Sequence, residues 1–592
     1  MNNMKIVDIL RENKELAKIL ATDPYDVVVL SNVTVNQSKE IFEYSLRKQG
    51  INAVVRFGDY DNIIQGAVQV THADCVIVFW ELCNLFEGAQ YKIESMSEER
   101  TDEVFEELTQ QLLFLIKNME KIPLVLMNKF TALPFSYHYV GASKMDRLAL
   151  RLNTFLEEAA PSNVRLIDTD KVLAATGVQG SVDFRRFYQA KVMYTMNFFK
   201  HYSEFIKPII RCVAGNKRKA IIFDCDNTLW KGVVGEDGFE GIEMSSSTND
   251  GAAFAEVQAI ATRLSEQGVI VGLCSKNNFR DVDEVIKSHP DMQLKDDYIT
   301  IKKINWVDKV KNLREIAEEL NIGVESMVFV DDSPFELNFV RGHLPEIEVV
   351  EVPEQIHEYP ALLRKEAAHF YSLSLTSEDR EKNKMYKRQA RRQREKGNFT
   401  DMEDYLKSLG LKVTITEGNK LIAPRIAQMT QKTNQFNLTT KRYTEGEIRS
   451  LIDNPNVRVY TASVSDRFGD SGVTGLCVVV LAGKNTLAQV DTFLLSCRVI
   501  GRDIEYALLD HVIKSMKPET RRIEATYIKT KKNEQVREFF DKCSFDLTQG
   551  SDSVRKYTID PIKYVPKNVE YIKVIDNARC YKTNKKDNGG CL

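Results

Sequence analysis

At 592 residues the chain is too long for one core, and its 43% apolar and 28% charged content is that of an ordinary globular protein with room for about three or four domains. A net charge of −3 gives no electrostatic support to a nucleic-acid partner. MNNMKIVDIL lacks a cationic segment followed by an apolar one, no apolar run approaches the roughly 20 residues of a membrane span, and the ten cysteines show no CxxC pairing, so the expectation is a reduced, cytoplasmic protein without membrane contact.

Residues 26–34 (DVVVLSNVT), INAVVRF, 73–80 (ADCVIVFW) and 123–128 (PLVLMN) read as strands. Amphipathic segments separate them, including KEIFEYSLRKQG and a long helix around 100–118. Strands alternating with helices predict a parallel α/β sheet, here closed by a long helix from about 184 to 211. A basic connector, AGNKRKA, leads into a strand at 220–223. From there βα units run to about 350, with clear strands at 268–275 and 326–334. Residues 376–396, TSEDREKNKMYKRQARRQREK, contain no Pro or Gly and predict a solvated connecting helix. A third α/β unit follows, with strands near 411–416, 457–463, 474–481 and 487–495, and residues past about 565 read as a tail. The expected organisation is therefore three α/β domains, over 1–212, 216–375 and 399–565, with a linker at 376–398 and a tail at 566–592.

The chemistry concentrates in AIIFDCDNTLWKGVVGEDG, residues 220–238. Residues i and i+2 of a strand point to one side, so Asp224 and Asp226 project together from the C-terminal end of a parallel strand, where open α/β sheets hold ligands. Two adjacent carboxylates repel, and hard oxygen ligands suit Mg²⁺. A second acidic pair, Asp331 and Asp332, ends the strand MVFVDD. Ser275 ends a third strand, with Lys276 and Asn277 beside it. Lys309 opens a helix and supplies the cation that a transferring phosphoryl group requires; Lys302 and Lys303 are its rivals.

This set, in this order, resembles the four motifs of the haloacid dehalogenase superfamily: Asp224, Asp226 and Thr228 as DxDxT, then Ser275, then Lys309, then Asp331–Asp332. The resemblance implies a doubly wound parallel central sheet. It implies that Asp224 is a nucleophile forming an aspartyl-phosphate and Asp226 its acid/base partner. Ser275 and Lys309 would hold phosphoryl oxygens, with Thr228, Lys276 and Asn277 near the substrate. Mg²⁺ would lie between Asp224, the Asp226 carbonyl and either Asp331 or Asp332. Trp230 and the glycines that follow it read as a flexible hairpin flap, with no large cap domain behind it.

The words DNTLWKGVVGEDG, LCSKNN, HPDM, INWVDK and VFVDDSPFE are similar to those of the FkbH-like branch of that superfamily, as are TQKTNQFNLTTKRYT at 430–444 and DTFLLSCRVIGRDIE at 491–505. That resemblance implies a small phosphorylated donor such as 1,3-bisphosphoglycerate and transfer of a glyceryl group to an acyl carrier protein thiol. Such a route calls for a cysteine. Cys225 and Cys274 lie beside catalytic positions, but strand alternation points them away. Cys497, flanked by Arg498 and Arg502, is the preferred carrier, because nearby cations favour a thiolate.

Arg498 to Asp503 precede the helical run IEYALLDHVI and partly resemble the acyl-CoA loop of GCN5-related acetyltransferases, with Asp503 departing from the pattern. This implies a domain that binds an acyl or carrier group through Arg498 and Arg502. The first α/β unit resembles an SGNH-hydrolase-like domain without its catalytic words: LSNVT holds Ser31, and Asp183-Phe184-Arg185-Arg186 contains no His. It is expected to be non-catalytic. The alternatives to glyceryl transfer are a small-molecule phosphatase with accessory domains and an acyl-CoA-dependent acyltransferase.

Overall fold

The computed structural model describes residues 1, 4–20, 23–136, 141–215, 217–371, 377–396, 398–482, 486–530 and 532–577. The chain forms two compact units, 1–216 with 442–448, and 217–441 with 449–592. Among the described residues no helix is long and apolar enough to cross a membrane.

In the first unit, β1 (Tyr25–Ser31), β2 (Ala53–Phe57), β3 (Cys75–Phe79), β4 (Val125–Asn128) and β5 (Val164–Ile167) form a parallel sheet in the order β2-β1-β3-β4-β5. The unbroken apolar run of β3 is fully buried, as a central parallel strand covered on both faces requires. The helix expected over 184–211 is two helices, Phe184–Ala190 and Met196–Val213. Lys191 adopts a positive φ of 55°, which ends the first, and the Thr195 hydroxyl accepts from the Phe198 N–H to start the second. Ser31 is occupied by a turn: its hydroxyl donates to the Val33 carbonyl at 2.7 Å and accepts the Val33 N–H at 3.1 Å. Asp183 caps the helix that follows it.

The central domain holds β6 (Ala220–Phe223), β7 (Ile270–Ser275), β8 (Ile301–Ile304), β9 (Met327–Asp331) and β10 (Glu348–Glu351), all parallel, in the order β10-β9-β6-β7-β8. Val257, Leu264, Val282 and Ile286 from helices Asn249–Glu266 and Phe279–Ser288 join one core cluster. Val310, Leu313, Ile316 and Leu337 from helices Lys309–Leu320 and Pro334–His343 join another. With β6 central and buried at every position, its C-terminal end opens at the middle of the sheet edge.

The C-terminal domain is a mixed sheet of β11 (Leu411–Glu417), β12 (Phe436–Asn437), β13 (Val457–Asp466), β14 (Gly469–Ala482), β15 (Leu487–Leu495), β16 (Arg522–Ile528), β17 (Asp546–Gly550), β18 (Val554–Ile559) and β19 (Ile572–Asp576). The strands run β17-β18-β16-β15-β14-β13-β11-β19, with β12 against β15. Two expectations are corrected here. Part of the supposed tail is β19, which pairs in parallel with β11. The charged helix Ser377–Lys396 is not a solvated linker: Met385, Tyr386 and Ala390 are buried, and Arg392 forms a two-pronged bond to Asp466 at 2.7 and 2.8 Å. Asn383 Nδ2, donating to the Ser265 carbonyl at 2.6 Å, ties the helix to the central domain. Charge on one face of a helix says nothing about what the opposite face covers.

Candidate active site

The strand ends bring the four motifs together. The Asp224 N–H donates to the Val330 carbonyl at 2.9 Å, which locks the end of β6 against β9. Carboxylate oxygens of Asp224, Asp331 and Asp332 then lie within 4.8 Å of one another. Lys309, the first residue of its helix, reaches into this cluster, with Nζ 2.6 Å from Asp331 and 3.4 Å from Asp224. Lys302 and Lys303 are excluded as rivals, since they pair with Asp283 and Asp296 and with Glu315 and Glu319.

Burial decides the electrostatics. Asp224 is 6% exposed and Asp331 fully buried. Desolvation pushes the Asp224 carboxyl up, Lys309 opposes this, and Asp331 adds to it. Asp331 and Asp332 are raised for the same first reason. Burial works to lower Lys309, but the carboxylates of Asp224 and Asp331 outweigh it and keep the ammonium protonated. One lysine facing three carboxylates leaves an excess of negative charge.

The donor set therefore fits a hard divalent cation. Asp224 Oδ1 is buried without a hydrogen-bond partner, an arrangement that costs free energy unless a ligand completes it. The two acids of the last motif differ. Asp331 spends Oδ2 on Lys309 and Oδ1 on the Ser333 N–H at 2.9 Å, whereas Asp332 is partly exposed at the cluster's edge.

Asp226 is not in that cluster. Its Oδ1 accepts from the Trp230 indole at 2.9 Å and the Val234 N–H at 3.0 Å, and its Oδ2 accepts from Asn277 at 2.7 Å. Asn277 also reaches the Ser275 hydroxyl at 3.4 Å. Asn277, expected to touch substrate, thus positions the Asp226 carboxylate. Trp230 is fully buried, so the start of the supposed flap is a fixed support rather than a mobile cover. Asn227 holds the turn: at φ 50° it occupies the left-handed region that Asn tolerates, and its side chain accepts the Gly232 N–H at 2.9 Å. Neither role was legible as a motif, although an Asn between an acid and a Gly-rich turn is the signal that could have marked it. Thr228 is completely buried with its hydroxyl unpartnered, and Lys276 is paired with Glu336 at 2.5 Å. Behind the flap, only residues 238–248 precede helix Asn249–Glu266, so no cap domain is inserted there.

The cysteines do not join the site. Cys225 and Cys274 are wholly buried, and burial pushes both thiols up, away from thiolate. Cys497 lies elsewhere. Its carbonyl accepts from Asn321, the residue just past the end of helix Lys309–Leu320. Twelve helical residues span about 18 Å, so Cys497 sits at the far end of the helix from Lys309. Arg498 and Arg502 are 5% and 4% exposed. Arg502 bonds Asp466 at 3.2 Å and Gln389, and Arg498 reaches Met385. Both arginines fasten the charged helix and do not present a binding loop. The gap left where β15 and β16 stop pairing is also filled. β15 and β16 pair only over Leu487–Val490 and Arg522–Ala525. Beyond that, β12 pairs with β15, the Leu438 N–H donates to Phe493 at 3.1 Å, and the Ile528 N–H donates to Leu438 at 2.8 Å.

No family model and no curated protein matches the chain. Among solved structures, it is similar to the N-terminal part of the protein BF1531 from Bacteroides fragilis, described as containing a phosphatase domain and complexed with Mg. The identity is 25%, the match covers 61% of this chain and 99% of that one, and the TM-score is 0.52. A spermidine N-acetyltransferase from Vibrio cholerae also matches, at 13% identity over 26% of this chain and 96% of that one, with a TM-score of 0.21.

Proposed function

We propose that this chain is a Mg²⁺-dependent enzyme that processes a small phosphorylated metabolite at Asp224 and, through that site, delivers a glyceryl unit from a 1,3-bisphosphoglycerate-like donor to the thiol of an acyl carrier protein. The observation that carries the phosphoryl part is the unpartnered, buried oxygen of Asp224 inside a three-carboxylate cluster faced by Lys309. The Mg in the BF1531 structure supports the choice of cation. Asp224 and Asp332 would hold Mg²⁺, with Asp331 anchoring Lys309; the ion supplies charge neutralisation for phosphoryl oxygens.

Asp224 presents the nucleophilic oxygen, and Asp226, held by three donors, carries the proton of the leaving or entering group. Lys309 and Ser275 orient phosphoryl oxygens. Balance separates two outcomes. Attack of Asp224 at phosphorus gives an aspartyl-phosphate and releases the remainder of the donor, and water then frees phosphate. This is the phosphatase reading, and it needs no other domain. Glyceryl transfer instead requires two bond exchanges. A thiolate attacks the acyl carbon, a C–S bond forms as the C–O bond to the 1-phosphate breaks, and that phosphate leaves with the electron pair. The 3-phosphate of the resulting 3-phosphoglyceryl thioester then passes to Asp224, freeing the C3 hydroxyl with a proton from Asp226, and water releases it as the second phosphate. The FkbH-like words across both halves of this unit support the second outcome. The buried placement of Cys225 and Cys274, and the distance of Cys497, favour direct use of the carrier's thiol over a cysteine of this chain.

The test is incubation with Mg²⁺, 1,3-bisphosphoglycerate and a holo acyl carrier protein. Phosphate release with a glyceryl mass gain on the carrier supports transfer. Phosphate release alone leaves the phosphatase reading, and no release in either case overturns both.

A further inference from the structure

Among the described residues of the central domain, the large apolar side chains more than a third exposed are Phe279, Trp306, Val307 and Phe335, at 50%, 70%, 38% and 73%. All four lie at one edge. Phe279 opens the helix after β7, Trp306 and Val307 follow β8, and Phe335 opens the helix after β9. These are the strand ends that carry Ser275, Lys309 and Asp331. Single exposed apolar residues are ordinary, but their confinement to the catalytic edge is not. Neighbouring strands are about 4.8 Å apart, so β9 and β8, three steps apart in the sheet, place the two ends of this rim about 14 Å from one another, with β6 between.

The rim adjoins Asp226. Asn277 bonds Asp226, and its neighbour Asn278 accepts the Trp306 indole N–H at 3.2 Å. The Asn305 N–H, one residue before Trp306, donates to the Ser275 carbonyl at 3.1 Å. Trp306 is thereby fixed on the side where Asp226 exchanges a proton with the entering group. A rim of 14 Å is wider than a three-carbon phosphate needs. The lysines of the motif loops are each paired with a carboxylate, Lys231 with Asp250, Lys276 with Glu336 and Lys309 with Asp331, so the edge offers aromatic faces together with the exposed Arg280 beside Phe279 and Lys311 in the helix that Lys309 opens.

We propose that Phe279, Trp306 and Phe335 form the acceptor site of this enzyme, taking a neutral arm with an apolar side that carries the accepting group to Asp226. The inference rests on the reading of the Asp224 pocket as a phosphoryl site. It assigns the acceptor's contacts to the central domain and not to Arg498 and Arg502. A charged acceptor of equal length would have to strip water from its charges against aromatic rings.

Tryptophan fluorescence tests it on the full chain, because the other two tryptophans, Trp80 and Trp230, are 7% and 0% exposed and Trp306 is the accessible reporter. Pantetheine, a neutral thiol-bearing amide, is the probe, and glutathione, a charged thiol of similar size, is the control. The expected result is saturable quenching by pantetheine, lost in Trp306→Phe, with the half-saturating concentration raised at least fivefold in Phe279→Ala and in Phe335→Ala, and at least tenfold weaker binding of glutathione. Circular dichroism confirms that each variant is folded. No saturable quenching, equal quenching by glutathione, or quenching unchanged in both Phe variants overturns the proposal. Phosphate release from acetyl phosphate, measured on the same wild-type sample, tests the pocket separately: its absence removes the phosphoryl reading, whereas the quenching reports on the rim alone.

Discussion

The Trp230 indole N–H donates to Asp226 at 2.9 Å from a fully buried position four residues along the chain. The flap therefore begins with an internal tether that fixes the Asp226 carboxylate. A hydrogen bond to a charged group is worth about 1.5–3 kcal/mol. Trp230→Phe keeps the packing volume and removes the donor. Its kcat for phosphate release should fall about tenfold or more, with the KM for donor changing less, measured by steady-state phosphate assay.

Asp224→Asn should abolish phosphate release, by about a thousandfold or more, and it should have a second effect. It removes one of three crowded carboxylates, so the variant should melt no lower than wild type in Mg²⁺-free buffer. The rise in melting temperature that Mg²⁺ gives the wild type should shrink or vanish, as binding to the native state alone stabilises it. Calorimetry with and without chelator reads both.

Cys497→Ala should leave loading of a carrier protein within about twofold of wild type, since the Cys497 carbonyl is held by Asn321 just past the end of a helix about 18 Å long that Lys309 opens. A tenfold loss in intact-protein mass assays would restore Cys497 as a carrier.

In the N-terminal unit, burial raises Glu81 from the usual 4.5 to about 7. A carboxyl raised in the folded state stays protonated there after it ionises in the unfolded chain. Stability from this group is thus present below about 4.5 and is lost as pH rises through about 7. At about 1.4 kcal/mol per pH unit, the cost above pH 7 is about 3 kcal/mol. Glu81→Gln should raise the melting temperature of this unit at pH 8 and change it little at pH 5.

Arg392 and Asp466 are both nearly inaccessible, and Arg502 shares the same carboxylate. Removing one member of a buried pair leaves a charge uncompensated, at about 3–5 kcal/mol. Asp466→Ala, which strands two arginines, should destabilise the second unit more than Arg392→Ala does, as urea titration will show.

The sequence by itself determined the strand rhythm and the ligating chemistry. Period-two alternation after AIIF reads Asp224 and Asp226 onto one side, although β6 ends at Phe223 and Asp226 is held outside the carboxylate cluster by Trp230, Val234 and Asn277; an apolar run ending in Asp331–Asp332 reads as a second buried strand with its acids at the same edge. These are local patterns, because a parallel strand buried on both faces is apolar along its whole length. The tertiary structure decided what depends on partners distant in the chain. It chose Lys309 over Lys302 and Lys303, by which lysines other helices neutralise. It turned Asn277 and Trp230 into supports for Asp226, buried Arg498 and Arg502 under a helix more than a hundred residues earlier, and bonded the Cys497 carbonyl to Asn321, past the end of the helix that Lys309 opens. Residue type sets what a side chain can bond, but packing sets which partner arrives, and a charged side chain with a buried partner is spent before any ligand reaches it.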